Sequence, residues 1–250
     1  MAEKGSLSPE ERERYDRQII IPNFGLEGQE KLKKATVLVV GAGGLGCPVS
    51  TYLAAAGAGE IRIVDFDDVA LSNLNRQVLH WQENLGQSKA LSASGKLARL
   101  NPHSVIKPLN EALTEENIGR ILSGVDVVVD ALDNFETRQL LNQGAVANSV
   151  PFIYGGVNGL MGMVTTIVPS KTPCLSCLFP HTAPKEIFPV LGTTPAVIGA
   201  IQATEVIKLI VGLGRPLTGR LLVYDGLEMS FSTVNVERDP SCPVCGSVDS

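Results

Sequence analysis

Two periods of hydrophobicity run along this chain and change places near its middle. "TVLVV" (36–40) is a short unbroken apolar run, rich in β-branched residues and closed by glycine, which reads as a strand buried on both faces. "EIRIVD" (60–65), "DVVVDAL" (126–132) and "PFIYGG" (151–156) repeat that pattern, with "SVIKPL" (104–109) a weaker version. Helical stretches fall between them, at 44–57, from "GQSKA" around Lys89, and at 138–149. Strands alternating with helices predict a parallel, doubly wound sheet. At the N-terminus Ser8 reads as a helix N-cap, Pro9 as the first helical residue and Glu11 as the closing member of a capping box. That helix is expected to reach about Ile20, with a loop leading on to the first strand.

From Met161 the pattern alternates instead. "MGMVTTIV" and "GRLLVYDGLEMSFSTVNV" (219–236) read as antiparallel strands. Between them "CLSCLFPHTAPKEIFPVLGTTP" is rich in proline and poor in period, and a long irregular segment inside a compact protein is usually functional. The apolar stretch 195–214 is broken by Gln202, Glu205 and Lys208, which fits a buried or half-buried helix better than a membrane span. The expected fold class is therefore α/β: a Rossmann-type doubly wound sheet, mostly parallel, with a C-terminal antiparallel extension. The expected organisation is one unit over 1–250, made of a helical arm (1–35), a nucleotide-binding core (36–160) and an extension (161–250) carrying the crossover loop.

Composition adds limits. With 44% hydrophobic and 19% charged residues, 250 residues can bury a substantial core. A net charge of −5 offers no basic field, which argues against nucleic acid or an anionic membrane as partner. The charged, polar N-terminus is no secretory signal, so the expected location is cytoplasmic. Five cysteines in such a chain are not read as a disulfide framework. Four of them form two C-x-x-C pairs, Cys174/Cys177 and Cys242/Cys245, and Cys47 stands alone. Each pair can present two thiolates about one turn apart, and together they complete a closed tetrahedral zinc site. Buried thiols or a redox C-x-x-C are the alternatives.

The glycine run Gly41-Ala42-Gly43-Gly44-Leu45-Gly46 sits between strand and helix, where it permits a tight turn, close approach to phosphate and free helix N–H groups for an anion. Asp65 follows at the end of the second strand, placed to bind ribose hydroxyls. This motif alone suits NAD or ATP. Downstream lie Asn73, Arg76 and Gln77 in "SNLNRQ", Lys89, and then Asp130, Asp133 and Asn134 in "DALDN". An arginine, a lysine and a carboxylate able to hold Mg²⁺ suit a triphosphate undergoing displacement. An oxidoreductase reading lacks a Tyr-x-x-x-Lys motif and has only three histidines to draw on.

Taken in order, "RYDRQI", "GAGGLGC", "VDFDDV", "SNLNRQ", "GQSKA", "DALDN" and the two C-x-x-C pairs resemble the MoeB/ThiF adenylyltransferases, bacterial relatives of the ubiquitin-activating enzymes. The resemblance spans nearly the whole chain. It implies ATP-dependent adenylation of the C-terminal glycine carboxylate of a small ubiquitin-like sulfur-carrier protein ending in Gly-Gly, with release of pyrophosphate. It implies backbone contacts to ATP at Gly41, Gly43 and Gly44, ribose binding by Asp65, and phosphate binding by Asn73, Arg76 and Lys89. Asp67, Gln77 and Asn134 complete the binding set, and Asp133 holds Mg²⁺. Arg17 is expected to reach in from the other subunit of a homodimer and to share catalysis with Arg76, Lys89 and Asp133. The four paired cysteines are expected to hold structural Zn²⁺.

One departure stands out. Many relatives carry a cysteine in the crossover loop that bonds covalently to the carrier, and "KEIFPVLGTTPAVIGAIQA" (185–203) has none. The expectation is an enzyme that stops at the acyl-adenylate and leaves sulfur delivery to a separate sulfurtransferase. Cys47 follows the glycine loop, where a helix dipole could lower its pKa, but a packing role is favoured. The rival functions are an NAD-dependent oxidoreductase and a non-catalytic nucleotide-binding scaffold for a carrier protein.

Overall fold

The computed structural model describes residues 6–180 and 189–246. Three helices open the chain: α1 (Pro9–Arg14), α2 (Asp16–Ile19) and α3 (Gly25–Lys34). The core then runs β1 (Thr36–Val40), α4 (Gly46–Ala56), β2 (Glu60–Val64), α5 (Lys89–Leu100), β3 (Val105–Leu109), α6 (Ile118–Leu122), β4 (Val127–Asp130), α7 (Phe135–Ala147) and β5 (Phe152–Asn158). It continues through β6 (Met161–Ile167), α8 (Leu175–Leu178), α9 (Thr193–Val211), β7 (Arg220–Asp225) and β8 (Ser230–Asn235). One eight-stranded sheet has the order β3-β2-β1-β4-β5-β6-β7-β8. From β3 to β5 every pairing is parallel, and from β5 to β8 every pairing is antiparallel. The expected class is what the chain adopts.

Alternation within the strands divides the core. Val37 and Val39 of β1 face one layer with Leu53 of α4, Leu97 of α5 and Ile198 of α9. Leu38 and Val40 face the other, with Leu122 of α6 and Leu141 of α7. Each of these side chains is nearly or completely buried, and truncating one of the leucines or Ile198 to alanine costs about 2–5 kcal/mol by loss of contacts and a residual cavity. Helix α9 is long and apolar enough to cross a membrane by length and composition alone. Its polar residues show why it lies in the core instead. Gln202 Nε2 donates to the Asp130 carbonyl at 2.7 Å, and Glu205 Oε2 accepts from Thr166 Oγ1 at 2.6 Å.

The N-terminal arm departs from expectation in two places. Ser8 and Glu11 do form a capping box, but the helix breaks at Tyr15 instead of running to Ile20. Tyr15 is 2% exposed; its hydroxyl accepts from Asn101 Nδ2 at 2.8 Å and lies against Gly57, so the chain turns to deliver the ring inward. The expected loop before β1 holds α3, whose two glycines hide its helical character. Gly28 is there for proximity: a Cβ at that position would lie 2.8 Å from Val211 of α9.

Candidate active site

Strand β1 sends the chain to β2 on one side, while its other neighbour β4 sends it to β5 on the opposite side. The crevice outside the carboxyl ends of β1 and β4 is the topological switch point, where open α/β sheets take their ligands. Gly41 leaves β1 at φ +104°, and a Cβ on it would sit 2.5 Å from the Ala131 carbonyl oxygen beyond β4. A Cβ on Gly46 would sit 1.9 Å from the Gly41 oxygen. The turn closes only with glycine at both positions.

Its middle peptide is gripped from two sides. Ala42 N–H donates to Asp65 Oδ2 at 2.7 Å, and the Ala42 carbonyl accepts from His80 Nε2 at 2.8 Å. That bond puts the ring proton on Nε2, leaving Nδ1 to accept from the Ser92 hydroxyl at 3.0 Å. Burial lowers the His80 pKa, so the neutral ring that this pattern needs is the favoured one. His80 was not found by sequence reasoning. Its place three residues after Gln77 was visible, but its partner lies 38 residues upstream. Asp65 also accepts from the Asp67 N–H at 2.9 Å, and burial pushes its pKa up.

Most of the expected binding residues gather around this loop. Gln77 is buried against Gly43, and its Oε1 has no hydrogen-bond partner among the described residues. Arg76 lies against Gly44, its guanidinium donating to the Ser72 carbonyl at 2.8 Å and to Asn75 Oδ1 at 3.0 Å. Asn73 ends a short 3-10 turn, and its carbonyl accepts from the N–H groups of Arg76 and Gln77. Lys89, at the start of α5, is 8% exposed and bonds Asp67 Oδ2 at 2.7 Å. Asp133 is exposed, two residues beyond the Ala131 that touches Gly41, and Asn134 caps α7 by accepting from Thr137 N–H at 2.9 Å.

Arg17 is not brought to this group within the chain. Its neighbour Gln18 donates to the Ala56 carbonyl, at the end of α4 away from the glycine loop, which puts roughly 16 Å of helix between them. Cys47 is fully buried, and burial pushes its thiol up to about 12, opposite to the lowering that a helix dipole would give.

The four paired cysteines form one cluster, drawn from α8 and its N-cap and from the C-terminal tail. Their sulfurs all lie within 4.8 Å of one another, at 4.0 Å for Cys174–Cys177, 3.6 Å for Cys174–Cys242 and 3.4 Å for Cys177–Cys245. A tetrahedral metal with sulfur ligands at about 2.3 Å separates them by about 3.8 Å, so the set fits such an ion. Of the crossover loop, residues 181–188 lie outside the described residues. The loop's described end packs near the site, with Gly192 against Asn75 and Arg76.

A glycine loop at the switch point of a doubly wound sheet, with Arg76 and Gln77 against it and a four-cysteine cluster on the other sheet face, is the frame of an α/β enzyme of the adenylyl-transferring class. Comparison with known sequences gives the family: the ThiF family model matches residues 15–244, and the chain belongs to that family. It is 47% identical to the sulfur carrier protein adenylyltransferase of Thermus thermophilus, over 95% of this chain and 92% of the relative. It is 44% identical to the SAMP-activating enzyme E1 of Haloferax volcanii, over 96% and 91% respectively. Among solved structures, E. coli MccB with MccA-N7isoASN aligns with a TM-score of 0.84 and 26% identity, over 98% of this chain and 77% of that one.

Proposed function

We propose that this chain is an ATP-dependent adenylyltransferase that activates the C-terminal glycine carboxylate of a ubiquitin-like sulfur-carrier protein. The observation that carries this reading is the grouping, at the switch point between β1 and β4, of the glycine loop with Arg76 and Gln77 against it, Asp65 bonded to it, Lys89 paired with the neighbouring Asp67, and Asp133 two residues beyond the Ala131 that touches Gly41. In the reaction a carrier carboxylate oxygen bonds to the α-phosphorus of ATP, the bond from that phosphorus to the bridging oxygen of pyrophosphate breaks, and no proton moves. Both reactants are anions, since a carboxylate is ionised near neutral pH. Positioning and charge neutralisation are then the whole catalytic task, and a general base has no part to play.

The loop N–H groups and the start of α4 cradle phosphate. Asp65 accepts from the ribose hydroxyls while it continues to hold Ala42. Asn73 and Gln77 donate side-chain amides to the phosphates, and Arg76 and Lys89 neutralise them, Lys89 trading Asp67 for phosphate when ATP enters. The exposed carboxylate of Asp133 suits a hard cation such as Mg²⁺, which when bound would screen the leaving pyrophosphate. Asn134 holds the turn that presents it. Arg17, remote from its own crevice, serves the crevice of the second subunit in a homodimer. The cysteine cluster holds Zn²⁺ in a closed site with a structural role.

The chain acts as one adenylation unit in the cytoplasm, where its thiols stay reduced for metal binding. With no crossover cysteine and a buried Cys47, it hands the acyl-adenylate to a separate sulfurtransferase. Incubating enzyme, ATP–Mg²⁺ and a carrier ending in Gly-Gly, then weighing the carrier by mass spectrometry, tests this reading. An adenylyl adduct on the terminal glycine is expected. A nucleotide-stabilised enzyme that forms no adduct with any such carrier would favour the scaffold, and stabilisation by NAD alone the oxidoreductase.

A further inference from the structure

The turn that carries Asp133 is held from within the protein by a buried ion pair. Asp130, the last residue of β4, is completely buried, and Arg138 Nε, from the first turn of α7, lies 2.7 Å from its Oδ2. The same guanidinium reaches back through Nη2 to the Leu132 carbonyl at 2.6 Å and to the Gly155 carbonyl of β5 at 3.1 Å. The Leu132 N–H in turn donates to Asp130 Oδ1 at 3.0 Å. Both polar groups of the Leu132 backbone are therefore engaged by this one ion pair. On the other side Asn134 is fixed as the α7 N-cap. Asp133 is the exposed residue between two anchored neighbours.

A buried ion pair is a poor source of stability, because desolvation offsets its attraction and apolar side chains of similar size do as well. What this pair supplies is geometry. Tyr154 lies under the guanidinium, 5.0 Å from its ring centre, and Gln202 Nε2 bonds the Asp130 carbonyl at 2.7 Å. The planar fork of arginine can meet a carboxylate and two carbonyls at once; an ammonium cannot.

We infer that Arg138, braced by Asp130, is a positioning residue that fixes the Asp133 carboxylate for divalent-cation binding beside ATP. The inference rests on the adenylyltransferase reading. Its test measures ATP affinity by calorimetry on the full chain, in EDTA and across a Mg²⁺ series, alongside melting midpoints. Four proteins are compared: wild type, Asp133→Asn, Arg138→Lys, and the double variant Asp130→Asn/Arg138→Met, which leaves no lone buried charge. Arg138→Lys should bind ATP in EDTA as wild type does, yet need about 10- to 100-fold more Mg²⁺ for the same gain in affinity, as Asp133→Asn does. The double variant should melt near the wild-type midpoint and show the same Mg²⁺ defect, which a merely structural role would not produce. A wild-type Mg²⁺ response in either folded Arg138 variant would overturn the inference. So would a wild-type response in Asp133→Asn, and then adduct formation by the wild type would show that the functional reading still stands.

Discussion

Asp133 and Cys47 show how differently two residues beside one loop can be fitted for chemistry. Asp133 is exposed and free to meet a cation, while the turn on either side of it is pinned. Asp133→Asn should cut carrier-dependent pyrophosphate exchange on the order of 100-fold or more while leaving the melting midpoint unchanged, since surface substitutions rarely alter stability. An active variant would remove Asp133 from the mechanism. Cys47 has the opposite character: no exposure, a sulfur 3.5 Å from the Ala42 carbonyl oxygen, and a thiol held protonated by burial. Cys47→Ser should keep near-normal exchange, and neither it nor the wild type should form a reductant-sensitive conjugate with carrier and ATP–Mg²⁺. A conjugate lost only in the variant would make Cys47 a nucleophile.

Among the elements, those with a strong period could be read directly from the sequence: β1, β2, β4, α4 and the α9 segment follow from runs of apolar residues and their punctuation. The glycine loop, Arg76, Lys89 and Asp133 were visible because they flank such elements at the carboxyl ends of strands. Helix α3 was not, because Gly25 and Gly28 lower local propensity and only contact with α9 explains the second of them. His80 and the Asp130–Arg138 pair were equally hidden as supports, since their roles exist only once distant segments meet. The split cysteine cluster was legible by spacing, and it ties α8 to the C-terminal tail. Chelating the Zn²⁺ proposed for this cluster should lower the melting midpoint by at least about 3 °C, the shift that about 1 kcal/mol gives in a chain of this size. Calorimetric ATP affinity should hold, because the cluster lies with the side chains of the other sheet face, away from α4 and α5. A loss of ATP binding on chelation, with the midpoint unchanged, would contradict a structural role.

For the whole molecule the question is where Arg17 acts. Its position at the far end of α4 from the loop favours action across a dimer. Arg17→Ala and Lys89→Ala should each be inactive alone, and after subunit exchange the mixture should regain part of the activity, because one of the two sites then has both groups intact. No recovery despite proven heterodimers would place Arg17 in cis or outside the site. The central claim is narrower and can be tested without any variant: this crevice joins a carrier's terminal carboxylate to the α-phosphate of ATP. The direct measurement is exchange of labelled pyrophosphate into ATP, with a sulfur carrier ending in Gly-Gly and with the same carrier shortened by its last glycine. Exchange that requires Mg²⁺ and the intact carrier, and vanishes with the shortened one, is the predicted result. Exchange that proceeds equally with either carrier, or none with any carrier despite tight ATP binding, would contradict it.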